Sequence, residues 1–252
     1  MTREFKDHFS GHASDYALFR PDYPAALFNW LASVTEHHRL AWDCATGNGQ
    51  AANGLAGLFD AVVATDASVE QLRAGARHGG IHYVCATAEQ APLRDSCADV
   101  VTVAQALHWF DLERFYAEAR RVVVPGGVIA VWSYALMAIE PEIDALVGSF
   151  YGETLAGCWP PERRHVDARY ESLRFPFAEI DVPRLEMSRS WTLEELMGYV
   201  GTWSAVHRFR AAHGEKELTR FASRLAELWG SPERARRVRW PLAIRAGRIS
   251  GE

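Results

Sequence analysis

Residues 40–50 read LAWDCATGNGQ, and this stretch decides the fold. A short apolar run ends in Asp43, a loop of small residues holds Gly47 and Gly49, and an Ala-rich segment from Gln50 to Leu58 has the composition of a helix. Strand, tight glycine turn and helix form the opening of an α/β nucleotide-binding unit. Glycine belongs there because the backbone turns sharply, often at positive φ, and must let a ligand approach without a Cβ in the way. Gly47, Gly49 and Ala52 also satisfy G-x-G-x-x-[GA], the dinucleotide fingerprint. Asp43 argues for a different ligand. A carboxylate at the strand end repels a pyrophosphate held at the same turn and favours a cationic amino group.

On the C-terminal side the strand–helix rhythm continues. A strand from Ala61 to Thr65 ends at Asp66, a helix is expected over Val69 to His78, and a third strand over Ile81 to Cys85. Thr87-Ala88-Glu89 ends that strand. A fourth strand, Asp99 to Ala104, leads into Gln105-Ala106-Leu107-His108-Trp109-Phe110. A helix over Leu112 to Val122, the turn Pro125-Gly126-Gly127 and a fifth strand over Val128 to Trp132 complete the series. Such alternation implies a parallel sheet with helices on both faces.

After Tyr134 the rhythm breaks. Residues 135–175 read as a largely helical insert, followed by a strand over Ala178 to Met187. Thr192 and Glu195 then form a capping-box start for a helix to Gly201, a helix spans Glu215 to Trp229, and a last strand spans Trp240 to Ala246. Upstream, Phe5, Phe9, Tyr16, Phe19 and Tyr23 are interspersed with polar residues, and a helix over Pro24 to Thr35 places Leu27, Leu31 and Val34 on one face. The expected organisation is one domain, 1–252. Its sheet core comprises about 36–134 and 176–248, and a helical cap is built from about 1–35 and 135–175.

A net charge of -5 gives no electrostatic case for nucleic acid or an anionic membrane. The run Arg234, Arg236, Arg237, Arg239 reads as a solvated helix end, and Arg163, Arg164 and His165 as a solvated turn. Four widely spaced cysteines without a C-x-x-C pair indicate neither a metal site nor a disulfide framework. No signal-type apolar region opens the chain and no apolar run reaches about 18 residues. A cytoplasmic protein with no membrane or nucleic-acid partner is expected.

The order of motifs resembles that of class I S-adenosylmethionine-dependent methyltransferases. The residues that carry it are DCATGNGQ after strand one, Asp66 after strand two, ATAEQAPL after strand three, AQALHWF after strand four and RVVVPGG before strand five. YALFRPDYP near the N-terminus and WTLEELMGYVGTWSA near the C-terminus are similar to the trans-aconitate methyltransferase-like subgroup of small-molecule enzymes. The resemblance implies a Rossmann-like methyltransferase sheet of seven strands, mostly parallel with the last antiparallel, and S-adenosyl-L-methionine as cofactor. It implies that Asp43, Ala45, Gly47, Asn48 and Gly49 hold the methionine end and that Asp66 takes the ribose hydroxyls, with Ala67 near the adenine. Thr87, Ala88 and Glu89 line the adenine pocket, and Gln105 with Ala106 lies beneath the sulfonium. Two positions depart from the family pattern. Ala45 stands for the first loop glycine, and Thr87 for an Asp at the end of strand three.

Methyl transfer from a sulfonium is an in-line displacement, so alignment and exclusion of water matter most, and no metal is required. A base is needed only for an acceptor that is protonated at working pH; a carboxylate acceptor needs none. His108 is the candidate base, its alternative being a histidine that hydrogen-bonds within its loop. Tyr16 and Arg20 are placed to close over the cofactor, Arg20 pairing with a carboxylate. Trp109, Tyr134, Trp203 and Phe209 are candidates for the acceptor pocket or for core packing. The expected activity is methyl transfer to a small molecule at a carboxylate or other oxygen. An NAD-type oxidoreductase and a non-catalytic cofactor-binding module are the alternatives.

Overall fold

The computed structural model describes residues 21–75 and 79–250, so Tyr16 and Arg20 lie outside the described residues. In chain order the elements are α1 (Ala25–Val34), β1 (Leu40–Cys44), α2 (Gln50–Leu55), β2 (Ala61–Asp66), α3 (Val69–Ala74), β3 (Ile81–Cys85), β4 (Ala98–Ala104), α4 (Leu112–Val122) and β5 (Val123–Ser133). There follow α5 (Pro141–Ser149), α6 (Arg163–Asp167), β6 (Ala178–Glu179), β7 (Glu186–Trp191), α7 (Leu193–Gly201), α8 (Ser204–His213), α9 (Lys216–Trp229), β8 (Arg236–Pro241) and β9 (Ala243–Arg248).

The main sheet has the order β3-β2-β1-β4-β5-β9-β6. Neighbours are parallel from β3 to β5, and the last strand, β9, runs antiparallel to both β5 and β6. This is the expected Rossmann-like methyltransferase sheet. Because β1 is flanked by β2 and β4, the chain leaves it in opposite directions, which opens a crevice at the strand ends.

Side chains alternate across the sheet with period two, as strand geometry requires. Ala41, Val100, Val128, Ala130 and Trp132 pack with α1 and α2 on one face. Trp42, Cys44, Val101, Val103, Ile129 and Val131 pack with α4 on the other. Helix α1, read from sequence as part of the cap, therefore covers the sheet through Leu27, Phe28 and Leu31. Gly54 permits that packing, since a Cβ there would fall 2.1 Å from the Phe28 ring.

A third apolar cluster forms the cap. It joins the insert after β5 (Tyr134, Ile143, Phe150, Leu155) to α7, α8, α9 and the two-stranded ribbon β7–β8. Two sequence expectations change here. The strand expected over residues 178–187 is split, and Pro183 interrupts it: only Ala178–Glu179 joins the main sheet, while Glu186–Trp191 pairs with β8. The last strand is divided as well. Pro241 has no N–H to extend the ladder, and the chain leaves the ribbon there and enters the main sheet at Ala243. The ribbon buries one side only, with Met187, Trp191, Val238 and Trp240 inward, which suits a lid on a helical cluster rather than a central strand.

The arginine run is likewise not a helix end. Arg236, Arg237 and Arg239 lie on β8, and Arg236 is largely buried over Trp229, paired with Glu140 and donating to the Trp229 carbonyl. Arg163 belongs to α6 rather than to a solvated turn. It lies over the Tyr151 and Trp159 rings and donates to the Tyr151 hydroxyl. In both cases the guanidinium finds an aromatic face that the local sequence does not announce. Among the described residues no helix is long and apolar enough to cross a membrane.

Candidate functional site

A cleft of about 430 Å³ opens at the C-terminal ends of β1, β2, β3 and β4, within the range of small-molecule sites. The loop after β1 builds its floor. Ala45, Gly47 and Gly49 all have positive φ (54°, 57° and 86°), so three turns of backbone sign within five residues fold the loop back over the strand end. The Thr46 N–H donates to the Thr65 carbonyl, and the Gly47 N–H to an Asp66 carboxylate oxygen at 2.8 Å. The other Asp66 oxygen accepts the Ser68 N–H at 2.8 Å. These bonds hold Asp66 in place on the wall of the cleft.

Asp43 sits directly beneath this loop and has no exposed surface. It accepts the Thr46 hydroxyl at 2.5 Å and the Thr102 hydroxyl at 2.7 Å, and the Ala52 backbone donates to it as well. Burial pushes its carboxyl up to about 6, and the hydrogen bonds from Thr46, Thr102 and Ala52 hold it from rising further. The expectation of direct contact with a ligand ammonium is therefore corrected. Asp43 braces the loop and the start of α2 from below and does not line the cleft.

Of the other residues singled out from sequence, Ala45, Gly47 and Asn48 line the cleft from the first loop, and Asp66 and Ala67 from the end of β2. Thr87, Ala88 and Glu89 do so from the end of β3, and Gln105, Ala106 and Trp109 from the end of β4. Glu89 also accepts the Asp111 N–H and so ties that wall to the start of α4. Gly49 lies behind the loop as the residue preceding α2. Tyr134, Trp203 and Phe209 are buried in the cap cluster and do not line the cleft, so of the aromatic candidates only Trp109 does.

His108 is not among the residues that line the cleft. Its Nδ1 lies 3.0 Å from the Tyr170 hydroxyl, and burial, helped by Arg163, pushes the imidazole down to about 3. This contact fits the alternative read from sequence, a histidine held by hydrogen bonding to its surroundings.

Sequence reading did not single out Thr46, Gln71, Phe110 and Glu162, which also line the cleft, nor assign Tyr23 to it. Gln71 follows from helical spacing, one turn into α3. Glu162 carries no local signal, because the cap brings it over the cleft from a segment read as surface.

The left-handed backbone at Ala45 costs an L-residue about 1–2 kcal/mol, which glycine avoids. Allowing for glycine's larger unfolded-state entropy, Ala45→Gly is expected to stabilise the fold by about 1 kcal/mol. Thermal unfolding should register a rise of roughly 2–4 °C; an unchanged or lower midpoint would show that Ala45 is unstrained.

Comparisons with known proteins bear on what the cleft holds. Residues 42–131 match the methyltransferase domain family. Over 219 residues the chain is 32% identical to a Dictyostelium discoideum protein that carries a methyltransferase name, covering 85% of this chain and 83% of that one. A solved structure from Anaeromyxobacter dehalogenans, described as a type II methyltransferase, is 47% identical with a TM-score of 0.88, covering 93% of this chain and 100% of the other. A Saccharomyces cerevisiae protein named for S-adenosylmethionine-dependent methyl transfer is 27% identical over 139 residues, 52% of this chain and 46% of its own length.

Proposed function

The chain belongs to the class I S-adenosylmethionine-dependent methyltransferases, and from that premise we propose that it methylates a small molecule at oxygen, in the cleft at the ends of β1, β2 and β4. S-adenosyl-L-methionine is its cofactor. The observation that carries the site assignment is the loop itself. Its three left-handed residues and the Gly47–Asp66 bond leave a wall of backbone and small side chains, with one acid at the strand end. A Cβ on Gly47 would meet nothing nearer than Gln71 at 3.8 Å, so the space above that residue is open to a ligand.

Bound S-adenosylmethionine supplies a methyl group on a positively charged sulfur. The chain's own residues do the rest. Asp66 presents its carboxylate to the ribose hydroxyls from the end of β2. Ala67, Ala88 and Thr87 form a slot of small side chains for the adenine, and Glu89 faces the same wall. Gln105 is itself held, its N–H on the Trp132 carbonyl and its side-chain amide on the Tyr134 carbonyl, so it presents a fixed edge beneath the reacting atoms. Trp109 and Phe110 cover the opposite side and exclude water. Tyr16 and Arg20, outside the described residues, are proposed to close the cleft, Arg20 pairing with a carboxylate.

An acceptor already ionised at neutral pH, such as a carboxylate, fits best with a His108 that does not line the cleft. Its attack needs alignment and no proton removal. The small-molecule class and the cytoplasmic location remain parts of this proposal.

Calorimetric titration with S-adenosylhomocysteine, with NAD as control, tests the reading. Micromolar binding of the first alone is expected. Binding of NAD alone would reassign the loop to dinucleotide chemistry, despite the family match.

A further inference from the structure

We infer that Tyr170, supplied by the insert, is a positioning residue whose hydroxyl fixes the turn 105–110 and through it the wall of the cleft beside the cofactor's sulfur. The inference rests on the cofactor site proposed above.

Tyr170 has no exposed surface and lines no part of the cleft. Its oxygen lies 3.0 Å from His108 Nδ1. His108 Nδ1 and the Tyr170 hydroxyl share one hydrogen bond. That bond ties the insert to a turn whose residues Gln105, Ala106 and Trp109 line the cleft.

Backbone strain points to the same contact. Arg169 and Tyr170 are consecutive left-handed residues (φ 52° and 62°), and Gln105 is left-handed too (φ 58°). Such conformations cost an L-residue about 1–2 kcal/mol each and persist only where the surroundings over-determine them. The surroundings do so here. The Tyr170 N–H donates to the His165 carbonyl, while Arg245 donates to the carbonyls of Tyr170 and Leu173. Arg245 is itself held by Glu179 and lies over the Phe175 ring. The phenol is therefore clamped from behind and aimed at the turn in front.

Tyr116 provides the control. It is equally buried, and its hydroxyl anchors the same segment by donating to the Arg174 carbonyl, with no bond to the turn. Calorimetry with S-adenosylhomocysteine on wild type, Tyr170→Phe and Tyr116→Phe should show about tenfold weaker binding for Tyr170→Phe. That is the size expected when buried polar groups lose their partner. Tyr116→Phe should stay within about twofold of wild type at a similar loss of thermal stability. Imidazole ¹⁵N spectra should show the His108 Nδ1 hydrogen-bond signature lost only in Tyr170→Phe. Equal affinities and unchanged His108 signals in the two variants would overturn the inference.

Should Tyr170→Phe not fold, His108→Leu removes the same contact from the other side. The same tenfold loss is expected, and wild-type affinity would overturn the inference. Failure of the wild-type chain to bind is seen before any variant is made and removes the cofactor-site reading. The His108 signature still reports on the Tyr170 contact in that case.

Discussion

Asp43→Ala is expected to weaken S-adenosylhomocysteine binding at least about a hundredfold, with only a modest loss of thermal stability at pH 7. The two effects separate because the carboxylate does two opposing things. Its oxygens hold the Thr46 hydroxyl in the loop, the Thr102 hydroxyl on the neighbouring strand and the start of α2 at Ala52. Removing them leaves buried donors without partners, at about 1–3 kcal/mol each, and frees the loop whose three positive-φ residues shape the cleft. The same carboxylate is wholly buried and its pKa is raised to about 6.

A folded-state pKa above the unfolded value means that this group's contribution is fully present below about pH 4 and is lost as pH rises through 6. Ionising it at pH 7 costs on the order of 3 kcal/mol, which the alanine variant recovers. The wild-type chain should therefore gain stability from this group as pH falls from 7 towards 5, and Asp43→Ala should lack that gain. Asp43→Asn keeps the size and part of the hydrogen bonding, so its loss of affinity should stay under about tenfold. Calorimetry at pH 7 and thermal melts at pH 5 and 7 check all three statements. Wild-type affinity in Asp43→Ala would show that the loop holds its shape unaided.

Gly49→Ala should unfold the loop more completely. The position has φ +86°, and a Cβ there would sit 2.2 Å from the Tyr83 hydroxyl oxygen and 3.1 Å from the ring carbon that bears it. Left-handed strain and overpacking each cost about 1–3 kcal/mol, so a destabilisation of about 3 kcal/mol, roughly 6–12 °C in thermal midpoint, is expected. Cofactor affinity should be lost with it, because Gly49 sets where α2 begins. A double-mutant cycle divides the two causes. Tyr83→Ala in the Gly49→Ala background should recover the steric part and leave the strain, whereas additive effects would show that Tyr83 and residue 49 do not meet.

The A-x-G-x-G loop, the acid after the second strand and the strand–helix alternation were readable because each is a local matter. A glycine at a turn, an apolar run of five and a period of 3.6 report on backbone geometry within a few residues. Helix α4 appeared at its expected bounds, Leu112 to Val122, and the Thr192–Glu195 capping box formed as read. The placement of Ala45 through Ala106 around one cleft follows from the same source, since a parallel sheet gathers the ends of its strands on one edge.

Tertiary structure decided the rest. Asp43 lies beneath the loop rather than in the cleft because Thr102, 59 residues away, faces it across β1 and β4. His108 meets Tyr170 because the insert folds back across 62 residues of sequence to reach it. The ribbon β7–β8 and helices α7–α9 joined the cap because their apolar sides match those of the insert. Sequence determines which backbone a segment prefers. Which partner covers a given side chain depends on contacts between segments far apart in the chain, and at this site those contacts separate the residues that line the cleft from the residues that hold it in shape.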